Sequence, residues 1–349
     1  MKKSRFRLLL LPLAGILVSL VTLGSDFTAS AADFSPALRT EAQPPPVEEF
    51  GTINGLGQSA EHEKITRSAL ACRGGEPANA CFQPSSLTQL SGRSGTFGAV
   101  GAPDSDQTLT EAAHCDGADY LNAPGYPRMR TQATASLLEC IQHLRVNLSE
   151  GVVAAEDMLN AERLDPDEVD LRSTCTFTLS ISGRGKCNAI EGLGRALHGT
   201  QDFYSHSNWS DSSDPSRTVG INNPPGLARS VPAPFMNLVG SAPTAASIPA
   251  PLSTGCFSLF PWGCGGRVTH DVLNKDHGVI DPLTGTTSNP ATPRGRVSAN
   301  FDRAVRSAIL DTQAQWKGYR DALEAKYGTR QGALLACAIT HDNPTRDCS

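Results

Sequence analysis

The stretch from Gly192 to Trp209, Gly-Leu-Gly-Arg-Ala-Leu-His-Gly-Thr-Gln-Asp-Phe-Tyr-Ser-His-Ser-Asn-Trp, constrains the fold more than any other. His198, Asp202 and His206 stand four residues apart. At about 100° per residue, four steps drift only about 40°, so all three side chains project along one stripe of a helix. The spacing predicts that helix over residues 189–206. Gly192, Gly194 and Gly199 share it, and each costs a helix about 1 kcal/mol relative to Ala. A helix that keeps them predicts close approach by neighbouring backbone, and so a buried position. Buried imidazoles and a carboxylate need partners. Two imidazoles and a carboxylate on one stripe are suitable ligands for zinc or a similar divalent ion, so the stripe is a candidate metal site.

The compartment follows from the N-terminus and the cysteines. Lys2, Lys3, Arg5 and Arg7 precede an apolar run from Leu8 to Leu23, and Ala29-Ser30-Ala31 offers small residues for cleavage. Residues 1–31 therefore read as a signal peptide. No second apolar stretch of spanning length occurs, so no stable membrane span is expected. Residues 32–56, Pro-rich and acidic, read as a flexible leader. All 10 cysteines lie beyond the label, as expected of a disulfide set in an exported chain. Close neighbours suggest local staples joining Cys72 to Cys81, Cys175 to Cys187, Cys256 to Cys264 and Cys337 to Cys348, which leaves Cys115 with Cys140. No Cys-x-x-Cys is present, which argues against a thiolate zinc ribbon or a thioredoxin-type site.

Residues 57–349 have the length of a single helical domain. Helices are expected over about 58–71, 109–120, 131–159, 189–206, 299–327 and 331–338, from apolar residues recurring at three- and four-residue steps. Residues 83–105 read as loop. Alternating Phe177, Leu179 and Ile181 suggest a short strand or hairpin arm from Cys175. Residues 210–266, crowded with Pro, Ser and Gly, form a long loop insertion of the kind that is usually functional. The expected class is mainly α, with disulfide-stapled loops and a small β hairpin. The formal net charge of −5, on a chain whose label is basic, argues against a scaffold for duplex DNA, which needs dense basic patches. No Gly-x-Ser-x-Gly elbow, no His-Glu-x-x-His and no Walker loop occurs.

The segment Gly194 to Trp209 resembles the signature of the heterokaryon-incompatibility C family. It is also similar to the metal-binding helix of zinc-dependent phospholipase C and the zinc-dependent single-strand nucleases. Three further segments match in order: Glu-His-Glu-Lys-Ile-Thr-Arg-Ser-Ala-Leu from Glu61, Ala-Ala-His-Cys-Asp-Gly-Ala-Asp-Tyr-Leu from Ala112, and Thr-His-Asp-Val-Leu-Asn-Lys-Asp-His-Gly from Thr269. The resemblance implies a bundle of mostly antiparallel helices holding one to three zinc ions. As metal ligands it implies His62, His114, Asp116, His270 and Asp276 beside His198, Asp202 and His206, with Asp271 and His277 as alternatives in the last segment. It further implies phosphodiester hydrolysis, on a phospholipid or a single-stranded nucleic acid, with Asp271 as the nearest candidate to take a proton from water. The other expectation is a non-catalytic exported binding or incompatibility protein with a structural metal. His143 and His341 read as structural.

Overall fold

The computed structural model describes residues 60–348 except 76, 78, 94, 95, 178–182 and 259–262. The expected signal peptide and leader lie outside the described residues, as does most of the expected arm from Phe177 to Ile181.

The helix carrying the stripe is the axis of the fold. Eleven α-helices are assigned among the described residues: α1 Glu61–Leu70, α2 Pro84–Ser91, α3 Ala102–Asp106, α4 Glu111–His114, α5 Arg130–Ala154, α6 Pro166–Val169, α7 Gly185–His206, α8 His270–Leu273, α9 Asn300–Tyr327, α10 Thr329–Thr340 and α11 Pro344–Asp347. Two antiparallel two-residue ladders complete it, β1 Leu159–Asn160 with β2 Arg163–Leu164 and β3 Val279–Ile280 with β4 Thr287–Ser288. The fold is mainly α. Among these residues no helix is long and apolar enough to cross a membrane.

α7 packs along α5 and α9 and also touches α1, α2 and α4 or their flanks. Leu137, Ile141, Leu144 and Leu148 of α5 meet Ile190, Leu193 and Leu197 of α7 in one core. Phe301, Val305, Ala308 and Trp316 close it from α9, at the spacing expected of a buried helix face. The glycines of α7 permit this closeness. A Cβ on Gly192 would stand 2.4 Å from the Gly151 nitrogen and 2.5 Å from the Asn147 oxygen, and one on Gly199 would stand 2.4 Å from the Ala113 oxygen.

Three local expectations change. Residues 83–105 are not all loop, because Pro84 starts α2 at a position where a missing N–H costs nothing, and Leu87 and Leu90 anchor it. The helix expected over 109–120 stops at His114, since Cys115 turns left-handed at φ 57° and is tied to Cys140 of α5. Residues 175–177 form no strand. The five disulfides join Cys72–Cys81, Cys115–Cys140, Cys175–Cys187, Cys256–Cys264 and Cys337–Cys348.

Candidate metal centre

His198, Asp202 and His206 sit on α7 with no solvent exposure. His62, second residue of α1, and His114, last of α4, reach the same place and are also buried. Around Asp202 the three imidazoles share one design. The outer nitrogen of each faces an oxygen that can only accept. His198 Nδ1 donates to the Val100 carbonyl at 2.9 Å, and His114 Nε2 to the Gln107 carbonyl at 3.3 Å. His62 Nδ1 donates to Gln201 Oε1 at 2.8 Å; the Gln201 amide is oriented by its own donation to Thr66 and Thr312.

With the outer proton so placed, the inner nitrogen of a neutral ring carries a lone pair. Those nitrogens all point at one carboxylate. His198 Nε2 is 3.0 Å and His114 Nδ1 2.9 Å from Asp202 Oδ2, and His62 Nε2 is 3.1 Å from Oδ1. His198 Nε2 and His114 Nδ1 are 2.9 Å apart, and Asp104 Oδ1 lies 3.5 Å from the former. Lone pairs converging on carboxylate oxygens repel unless a cation stands among them. Outer N–H bonds that fix the tautomer of an inner ligand nitrogen are what metal sites use.

The buried carboxylate favours positive charge among the rings, which without an ion a proton on His62 supplies. Burial opposes charge on His62, but the Asp202 carboxylate outweighs it and lifts the imidazole to about 9. Burial keeps His198 below its ordinary value. Burial would raise Asp202, yet His198, His62 and the bond from His114 hold it well below the usual carboxylate range.

One turn further along α7, about 6 Å at 1.5 Å per residue, a second group forms around His206. His270, first residue of α8, lies with its ring centroid 3.8 Å from that of His206, and its Nδ1 is 3.1 and 3.2 Å from the two Asp116 oxygens. Asp276 Oδ2 is 3.1 Å from His206 Nε2, and Ser205 donates to the other oxygen. Burial, then His270, hold His206 well below its ordinary value, and burial pushes Asp276 up to about 7. Ligand atoms lie within 4.8 Å of one another in each of three sets: His62, His198 and Asp202; Asp104, His114 and His198; and Asp116, His206 and His270.

Each chain segment arrives for a local reason. The left-handed turn at Cys115 aims His114 and Asp116 at the two neighbouring groups. The far end of the long loop passes between ligand segments: Gly255 N donates to the His206 carbonyl, and Gly117 N to Gly255. Behind them the fully buried Lys275 ammonium donates to the Ser207 and Leu273 carbonyls and pairs with Asp211 at 3.3 Å; Asp211 also takes a two-pronged bond from Arg294. Burial lowers Lys275 to about 8.

The structure thus brings together seven of the eight expected ligands in the three sets, and places Asp276 against His206. Asp271 is solvent-exposed and outside all three sets, while its neighbour His270 is buried. His277, the alternative, is buried with a left-handed φ of 61°. Asp104, Gln201 and Glu61 escaped the sequence reading. Asp104 has no periodic relation to the other ligands, and Gln201 had a signal only in lying beside Asp202. Glu61 is buried, and its carboxyl is raised by burial and by nearby Asp276. The set of Cys337, His341 and Cys348 offers no thiolate, because its sulfurs form a disulfide.

Comparison with known proteins returns no matching family model, no matching curated protein and no matching solved structure.

Proposed function

We infer that this chain is an exported metalloprotein whose centre hydrolyses phosphodiesters, with zinc as the fitting ion. The observation that carries this is the convergence of three tautomer-locked imidazoles on Asp202, with the His206 group one turn away. His62, His114, His198, Asp104 and Asp202 would hold one or two ions, and Asp116, His206 and His270 another. An all-nitrogen-and-oxygen donor set suits zinc, and every cysteine sulfur among the described residues is in a disulfide. Adjacent divalent ions acidify a bound water and neutralise phosphate oxygens, the chemistry phosphodiester cleavage needs.

Around that chemistry the protein's own groups have distinct tasks. The Val100, Gln107 and Gln201 oxygens fix the rings. Asp104, with a side chain 6% exposed where that of Asp202 is 0%, stands at the rim of the ligand set, and Asp271, exposed beside buried His270, is the carboxylate placed outside the sets to accept a proton from water. The resemblance to the heterokaryon-incompatibility C family and to zinc phospholipases and nucleases supports phospholipid or single-stranded nucleic acid as the substrate.

The second reading is a structural metal without turnover, favoured by the burial of His62, His198, Asp202 and His206 at 0% exposure. Elemental analysis of the purified chain, then assay on p-nitrophenyl phosphocholine and single-stranded DNA, separates the two. Bound zinc with hydrolysis, both lost in Asp202→Asn, is the expected result. Stoichiometric zinc with no hydrolysis of either substrate selects the structural reading. No bound metal, with unchanged stability in His198→Ala, sinks both.

A further inference from the structure

Two arginines flank the second metal group. Asp116 pairs with His270, and three residues along each segment Asp119 pairs with Arg267. The two pairs therefore join the same two segments, three residues apart on each. Asp119 is fully buried and also binds Arg128 at 3.1 Å and the Tyr126 hydroxyl at 2.6 Å. One buried carboxylate therefore anchors two guanidiniums.

Both guanidiniums line a surface cavity of about 450 Å³, together with Pro127, Gln132 and Ala135. Every polar side chain in that lining presents donors. Arg267 spends Nε and Nη2 on Asp119, which leaves Nη1 for the cavity. Arg128 is fixed by Asp119, Ser136 and the Gln132 carbonyl, and keeps its Nε–H. Gln132 Oε1 is occupied by the Met129 N–H at 2.8 Å, so its amide NH₂ is the end that remains. A second carboxylate, that of Glu111, interacts electrostatically with Arg267 and Arg128. It lies against Gly117, where an added Cβ would meet it at 2.4 Å, and it does not line the cavity.

We propose that this cavity is a phosphate subsite, in which Arg128, Arg267 and the Gln132 amide hold an anionic phosphate group beside the metal centre. Paired guanidiniums held in place by a buried carboxylate are preorganised for planar, two-pronged recognition of phosphate oxygens. The volume lies in the range of small-ligand sites, with room for the organic group that the phosphate is attached to. Its service to the centre rests on the hydrolase reading above; phosphate binding itself does not.

The test uses the zinc-loaded full chain titrated with inorganic phosphate by calorimetry. Arg267→Gln and Arg128→Gln should each weaken binding by about tenfold or more, the loss of one charge-assisted contact. Ala135→Glu, which adds a negative charge to the wall and leaves the Asp119 pairs in place, should do the same without lowering zinc stoichiometry. Displacement of bound phosphate by an oligonucleotide, or by vesicles containing phosphatidic acid, tells which phosphate source the cavity prefers; displacement by neither assigns it to free phosphate. Wild-type protein that binds no phosphate at about 10 mM, or equal binding in Ala135→Glu and wild type, overturns the proposal. A catalytically silent protein that still shows the tenfold losses keeps the subsite and removes only the hydrolase reading.

Discussion

At the scale of the residue, buried ionisable groups are where this chain departs from an ordinary helical core. Asp311 of α9 is an example outside the candidate metal centre. It accepts from the Tyr204 hydroxyl at 2.6 Å and the Gln315 amide at 2.8 Å, both neutral, and burial pushes it up to about 7. Unfolding returns it to about 4. Between those values the native state binds more protons than the unfolded one, so stability from this group is full below about pH 4 and is lost as pH rises to about 7. In Asp311→Asn that slope should vanish, so that the variant gains on wild type by on the order of a few kcal/mol between pH 4 and 7. Urea unfolding across that range reads it; parallel curves for the two proteins would show that Asp311 stays ionised in the fold. The same residue links α9 to the long loop, since the Tyr204 oxygen accepts the Ala233 N–H at 2.8 Å.

At the scale of the element, α7 was legible and its partners were only partly so. The i, i+4, i+8 spacing and the three glycines sufficed to place a buried helix carrying candidate ligands. The glycines now have a tested meaning in packing. Gly192→Ala gains about 1 kcal/mol of helix propensity but drives a methyl into the Gly151 backbone at 2.4 Å, an overpacking cost of about 1–3 kcal/mol. The expected net is destabilisation, with a lower urea midpoint. Gly318→Ala on α9 meets nothing nearer than a Val239 methyl at 3.1 Å and serves as the permissive comparison. A Gly192→Ala protein as stable as the Gly318→Ala one would mean that α5 yields freely. The neighbours α2 and α4 were misread because each is short: one or two turns give no periodicity, and a left-handed Cys115 carries no signature in composition.

For the whole molecule, disulfides and candidate metal ligands are interleaved. Cys115–Cys140 lies between His114 and Asp116 and fastens both to α5. Opening this 25-residue loop removes about 3 kcal/mol by the usual entropy of cross-links. The double variant Cys115→Ser/Cys140→Ser should therefore melt lower and bind less zinc, because Asp116 serves the second group and His114 the first. Thermal melts with elemental analysis check both; a lower melting point with full zinc would separate the staple from the site.

The sequence by itself determined the helical class, the buried helix of the stripe and the candidate ligands, and its cysteine spacing was enough to anticipate the pairing. These are local facts, because helical periodicity and short disulfide loops are written within a few residues of themselves. Only tertiary structure decided which groups face Asp202. The Val100, Gln107 and Gln201 oxygens that lock the rings, the Asp104 carboxylate at the rim and the exposure of Asp271 all depend on segments far apart in the chain. His62 and Gln201 are 139 residues apart, and His270 and Asp116 are 154 apart. No spacing rule spans such distances; packing α1 and α9 against α7 brings the first pair together, and the Gly255–Cys256 segment, bonded to His206, Gly117 and His270, brings the second.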